Sequence, residues 1–169
     1  MDSGVLVREA RQDDAAEIAK VLQKAFTEFE ALYTIDGFTA TVVSASEVAQ
    51  RMSEGPLWVA HWNGTIAGTA SAVLKGERGL YLRGVAVLPP ARGKGIATAL
   101  LREIESFARS ENCRRMYLTT TPFLDSAIRL YERWGFTRVP DGTQDLFGTP
   151  LFTMAKNIED EEISRIGKD

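Results

Sequence analysis

The segment VAVLPPARGKGIATALL, from Val85 to Leu101, constrains this chain more than any other. Its apolar start stops at Pro89-Pro90, because proline has no amide to give a sheet ladder. Arg92-Gly93-Lys94-Gly95 then leads into Ala97, Leu100, Leu101, Ile104 and Ala108, which recur on one helical face. Arg115–Thr121 (RMYLTTT) reads as a further strand. A strand Leu80–Leu88, a helix from about Gly95 to Glu111 and a strand Arg115–Thr121 make one βαβ unit. Its two strands are expected to be parallel, joined by a right-handed crossover.

The flanking sequence supplies antiparallel partners. LWVAHW and TIAGTASAVL read as strands joined by Asn63-Gly64, a strong two-residue hairpin signal. A turn at Lys75–Gly79 leads on to Leu80–Leu88. Upstream, Val5–Glu9 alternates as a strand, and Asp13 or Asp14 offers a helix cap. Ile18, Val21, Leu22, Ala25, Phe26 and Phe29 follow at helical spacing. Glu30–Val43 reads as a loop or broken helix. Ser44-Ala45-Ser46-Glu47 has capping-box spacing, and its helix stops at Gly55-Pro56. Near the C-terminus, Pro122 suits the first turn of a helix running to Trp134, with Gly135 at its end. FTRV and LFTMAK are the last strands, linked through Pro140-Asp141-Gly142. The order is β-α-α-β-β-β-α-β-α-β-β. This is an α/β (α+β) domain over residues 1–156, with a mixed, mostly antiparallel sheet and helices on its faces.

A strand, a glycine-bearing loop and a helix start together suit anion binding. The first amides of a helix have no partner inside it, and the helix dipole favours negative charge there. Glycine lets a phosphate approach the backbone. The loop is not a P-loop: Lys94 is followed by Gly95 and Ile96, which leaves no hydroxyl for Mg²⁺. Nor is it a dinucleotide fingerprint, because position 98 is Thr98 and the next strand ends LTTT without an acid.

Charge excludes some partners. The net charge is −3, and the segment 157–169 carries that excess, with Glu159, Asp160, Glu161, Glu162 and Asp169 against Arg165 and Lys168. The remainder is balanced, so no nucleic-acid surface is expected. Residues 157–169 read as an acidic, flexible tail. The single cysteine, Cys113, permits no internal disulfide, and MDSGVLVREA lacks the features of a signal peptide. No apolar run reaches the length of a membrane span. A cytoplasmic protein is expected. With one histidine, His61, and no ligand cluster, no metal is expected.

The string Arg92-Gly93-Lys94-Gly95-Ile96-Ala97 reads R-x-x-G-x-A after VAVLP. Together with AIRLYERWGF (Ala127–Phe136), it resembles the acetyl-CoA-binding and C-terminal signatures of the GNAT (Gcn5-related N-acetyltransferase) superfamily. The element order from Val5 to about Lys156 resembles that family too. The resemblance implies an acyl-CoA-dependent N-acyltransferase, most simply an acetyltransferase. It also implies that the parallel strands splay at the cofactor site, with Gly84 as a candidate for the bulge that starts the splay.

Carried onto this sequence, the resemblance implies that coenzyme A pyrophosphate lies on Arg92, Gly93, Lys94, Gly95, Ile96, Ala97 and Thr98. The pantetheine arm then runs along the backbone of Val85, Ala86 and Val87. The Val87 amide is implied to stabilise the oxyanion, and Tyr131 to assist the departing thiolate. Many family members carry asparagine at the position of Leu124, so its contact is lost or passes to Asp125, Ser126 or the run Thr119–Thr121.

The acceptor side is open to several readings. Glu28, Glu30, Tyr33, Arg83 and Thr119 are candidates for it. If strand alternation holds, Arg83 shares a face with Val85 and Val87, where a cation favours a carboxylate-bearing acceptor; otherwise Arg83 pairs with an acid such as Glu77. The aromatic stretch Glu30–Phe38 suggests a closed pocket and a small primary amine. A protein or peptide acceptor, or a non-catalytic coenzyme A sensor, are the alternatives. Trp58 and Trp62 share one strand face, which packs under a helix or forms a homodimer contact.

Overall fold

The computed structural model describes residues 4–158. Seven strands form one sheet: β1 (Val5–Glu9), β2 (Leu57–Trp62), β3 (Thr65–Leu74), β4 (Gly79–Val87), β5 (Arg115–Thr120), β6 (Thr137–Leu146) and β7 (Thr149–Asn157). Their spatial order is β1-β2-β3-β4-β5-β7-β6. Only β4 and β5 are parallel; the other neighbours are antiparallel.

Helices cover both faces. On one side, α1 (Ala15–Phe26) and α3 (Ala45–Glu54) bury Ile18, Val21, Leu22 and Val48 against Val59 and Ala86. On the other, α4 (Ile96–Ser110) and α5 (Asp125–Trp134) pack Leu100, Leu101, Ile104 and Tyr131 on Leu80, Leu82, Met116 and Leu118. Trp58 lies under a helix, edge-on to Phe107 of α4 with centroids 5.8 Å apart. The stretch read as a loop or broken helix is the latter. A 3₁₀ segment covers Thr27–Leu32, and a short helix, α2, covers Ile35–Thr41. Thr34 caps α2, accepting from the Gly37 amide at 3.0 Å.

Asp14 fixes the first strand to the first helix. Arg8 donates to it from Nη1 at 2.8 Å and Nη2 at 3.0 Å, and the Arg11 amide adds a bond of 2.7 Å. The Arg8 hydrogen bond lowers the Asp14 pKa to about 2.

Two sequence expectations need correction here. Pro122 lies outside α5, which begins at Asp125 after a turn closed by Leu124 N–H to Thr121 O at 3.2 Å. A residue before proline is biased to extended backbone, so the chain leaves β5 before it can coil. Pro140-Asp141-Gly142 is not the final hairpin turn. It falls inside β6, where residues 140–143 bulge opposite Phe152. The turn itself is Phe147-Gly148, both at positive φ (50° and 94°). His61 on β2 is half-buried, and its Nε2 is unpartnered among the described residues. At the C-terminus, β7 reaches Asn157 and Ile158 is buried, so ordered packing extends beyond Lys156. The acidic run Glu159–Glu162 lies outside the described residues. No helix among the described residues is long and apolar enough to cross a membrane.

Candidate active site

A β-bulge shapes the site. Thr69 lies opposite Ala86 and Ser71 opposite Arg83, so Gly84 and Val85 share one partner position, that of Ala70. Gly84 sits at φ 64°, a conformation that β-branched or bulky residues resist. The extra residue reverses the strand's facing. Leu80 and Leu82 point to the α4 side, as do Val85 and Val87 beyond the bulge, while Ala86 turns to the α1 side. Arg83 therefore does not share a face with Val85 and Val87. It pairs with Glu54 of α3, Nη2 to Oε2 at 2.9 Å, and not with Glu77.

Beyond Tyr81, already before the bulge, the parallel pair opens. β4 and β5 are in register only from Gly79 opposite Arg115 to Tyr81 opposite Tyr117. Leu88 N–H donates towards β3, to Ala67 O at 2.8 Å. Successive strand amides point to opposite edges, so the Val87 and Val85 amides face the gap beside β5. The splay implied by the family resemblance is present in the fold.

The gap leads to the start of α4. Gly95 is its N-cap in the left-handed conformation, and no side chain caps the helix. Ala99 N–H to Gly95 O, at 3.0 Å, closes the first turn, leaving the amides of Ile96, Ala97 and Thr98 without intrahelical acceptors. Gly93 and Gly95 hold φ of 78° and 82°, and a Cβ on either would meet nothing within 4 Å. Backbone conformation, not crowding by protein, asks for glycine at both positions.

The two loop cations are turned aside. Arg92 donates from Nη2 to Ala25 O at 3.0 Å and pairs through Nη1 with Glu28. Lys94 Nζ lies 6.0 Å from the centroid of the Trp62 ring.

Tyr131 is buried in the cluster that Val85 and Val87 also line, with Phe136 5.8 Å from its ring. Burial pushes its phenol well above the usual tyrosine range. Tyr33 is buried as well, edge-on to Phe123 at 4.9 Å and 5.9 Å from Phe38. Burial raises its pKa, opposed by hydrogen bonding to Thr121 and Thr41. Phe29 extends this aromatic cluster through Phe123. The Thr34 hydroxyl donates to Phe147 O at 2.8 Å, and its amide donates to Thr149 Oγ1 at 2.9 Å. The aromatic loop is thus tied to the β6–β7 turn. Thr119 Oγ1 and the Tyr81 hydroxyl are 2.9 Å apart across β4 and β5. Leu124 is the N-cap of α5 and contributes no side-chain bond to it.

Sequence reasoning missed Arg51 and Glu54. The available signal was an arginine one turn after Val48, on the inward stripe of an amphipathic helix. Cys113 is buried, and its thiol pKa is raised first by burial and then by Glu111.

The Acetyltransferase (GNAT) family model matches residues 18–136. The uncharacterized N-acetyltransferase YjgM of Escherichia coli (strain K12) is 34% identical over 142 residues, 81% of this chain and 84% of that protein. The probable N-acetyltransferase family 8 member 5 of Mus musculus is 36% identical over 91 residues, 51% of this chain but only 40% of that protein. The PaiA N-acetyltransferase of Thermoplasma acidophilum, solved in complex with coenzyme A, superposes with TM-score 0.78 at 16% identity. That match covers 94% of this chain and all of the other.

Proposed function

Because this chain belongs to the acetyltransferase (GNAT) family and is an N-acetyltransferase, we propose that it transfers acetyl from acetyl-CoA to a primary amine of a small molecule. The observation that carries this reading is two sets of amides without ladder or intrahelical acceptors among the described residues. They are Val85 and Val87 beside the gap, and Ile96, Ala97 and Thr98 at the start of α4. The first pair suits the amide-bearing arm of coenzyme A, which adds to β4 as a partial strand. The second set suits its pyrophosphate, each charged hydrogen bond contributing about 1.5–3 kcal/mol.

In this reading Gly93 and Gly95 leave the approach to those amides clear. Arg92 positions the loop through Ala25 and Glu28 and is not a phosphate ligand. The neutral amine attacks the thioester carbonyl, forming the C–N bond. The oxyanion is held by the Val87 amide; collapse breaks the C–S bond while the nitrogen gives its surplus proton to water, leaving a neutral amide and a thiolate. Tyr131 donates a hydrogen bond to the departing thiolate sulfur. Full proton transfer from it is unfavourable, because a phenol is already a weaker acid than a thiol and burial weakens it further.

A small acceptor is favoured by the closure around the site. Phe29, Tyr33, Phe38 and Phe123 make an aromatic wall, and Thr34 fastens it to Phe147 and Thr149. The test is direct. Acetyl-CoA is mixed with small amines and with N-terminal peptides while free thiol is followed. Thiol release with small amines, and little with peptides, is expected. Release with peptides alone overturns the acceptor class; tight coenzyme A binding without turnover on any amine overturns catalysis.

A further inference from the structure

α3 carries Arg51 one turn beyond Val48, which is fully buried. Helical register therefore aims Arg51 at the sheet. Its Nη1 lies 3.0 Å from where a Cβ on Gly84 would sit, so the guanidinium abuts the β4 bulge. It also lines a small cavity with Ile18, Leu22, Val48 and Ser71. Arg83 stands beside it on β4.

The two guanidiniums have fewer acceptors than they need. Glu54 is committed to Arg83, with Nη2 to Oε2 at 2.9 Å. Glu47 accepts from Ser44 at the far end of α3, at 3.1 Å. Arg51 has no ion pair within 4.0 Å among the described residues, and Arg83 Nε is buried without an acceptor. Burial and then the charge of Arg83 depress the pKa of Arg51, while Glu54 and Glu47 oppose the fall. A single oxyanion between the arginines would satisfy both. Guanidinium matches carboxylate in a two-point geometry.

We propose that Arg51 and Arg83 form a carboxylate-binding subsite for the acceptor, so that the substrate is a primary amine carrying a carboxylate within amino-acid reach. The proposal rests on the acetyl-transfer reading above. The reach follows from the strand: Gly84 to Val87 spans three residues, roughly 10 Å at the rise of a β-strand. A carboxylate on Arg51 thus leaves the amine of a short amino acid near the Val87 amide.

The experiment compares free α-amino acids and short ω-amino acids with their carboxamides, using wild-type protein, acetyl-CoA and thiol detection. The acids are expected to exceed the amides in kcat/KM by at least about tenfold, chiefly through KM. Arg51→Gln, and independently Arg83→Gln, should bring that ratio close to one. Equal use of acid and amide by the wild type, or a ratio kept in both variants, overturns the proposal. If no amine releases thiol, the transfer reading fails and the subsite is read separately. Calorimetry with coenzyme A present then compares an N-acetylated amino acid with its amide. Acid-specific heat that Arg51→Gln removes supports the subsite, and no acid preference overturns it.

Discussion

The Arg92 guanidinium donates to the Ala25 carbonyl at 3.0 Å and pairs with Glu28, joining the loop before α4 to the end of α1. The cation that looks most like a phosphate ligand in the sequence thereby also ties the loop before α4 to α1. Both partners are well exposed, so the ion pair itself contributes little, about 0–1 kcal/mol. In the proposed reading its value lies in placing the amides that follow it.

Arg92→Lys distinguishes these roles, because lysine keeps the charge and loses the planar fork. If Arg92 positions the loop, Arg92→Lys and Arg92→Ala should weaken coenzyme A binding to a similar degree, about 3–10-fold by calorimetry. Recovery of full affinity by lysine would instead point to direct charge on phosphate.

Gly95 gives the second prediction. At φ 82° an L-residue costs about 1–2 kcal/mol, yet a Cβ there meets nothing in the protein. Gly95→Ala should therefore lower stability by about that amount in urea melts. Its effect on coenzyme A affinity should be larger than the strain alone explains, and Gly95→Asp should exceed it by adding negative charge. Unchanged affinity in both variants removes the loop from the cofactor site.

The third concerns Tyr131. Burial holds its phenol far above the ordinary range, so it stays protonated at every practical assay pH. Tyr131→Phe should reduce kcat by about 10–100-fold while coenzyme A still binds. The loss should be the same factor from pH 6 to pH 9. A basic limb in the wild-type rate profile that disappears in the variant would mean Tyr131 titrates during turnover.

The βαβ unit was legible because proline, glycine and helical spacing each have a local cause within Leu80–Thr121. The bulge was only half legible. Gly84 marks it, but the reversal of facing that separates Arg83 from Val85 depends on register with β3. The final hairpin misled for a related reason. Asp141-Gly142 is good turn chemistry, whereas Phe147 at φ 50° is not; the pairing of β7 with β5 overrides both preferences. Arg51 was invisible as a candidate site residue because its meaning comes from Gly84 and Arg83, which are remote in sequence and on another element.

Asp14 supplies the last prediction, on stability rather than turnover. Its carboxylate receives two bonds from Arg8 and one from the Arg11 amide, and its pKa falls from 3.8 to about 2. Between those values the unfolded chain binds more protons than the folded one, so stability rises with pH. The contribution is complete above the unfolded value of 3.8 and is lost as pH falls through about 2. Asp14→Asn should cost roughly 1–2 kcal/mol near pH 7, the lower figure allowing for solvent screening. The gap between wild type and variant should narrow below pH 4, be mostly lost at pH 2 and close below it. Denaturant melts across that range provide the check. A gap that persists unchanged at pH 2 would show that the variant is destabilised by lost packing and not by the charged bond from Arg8.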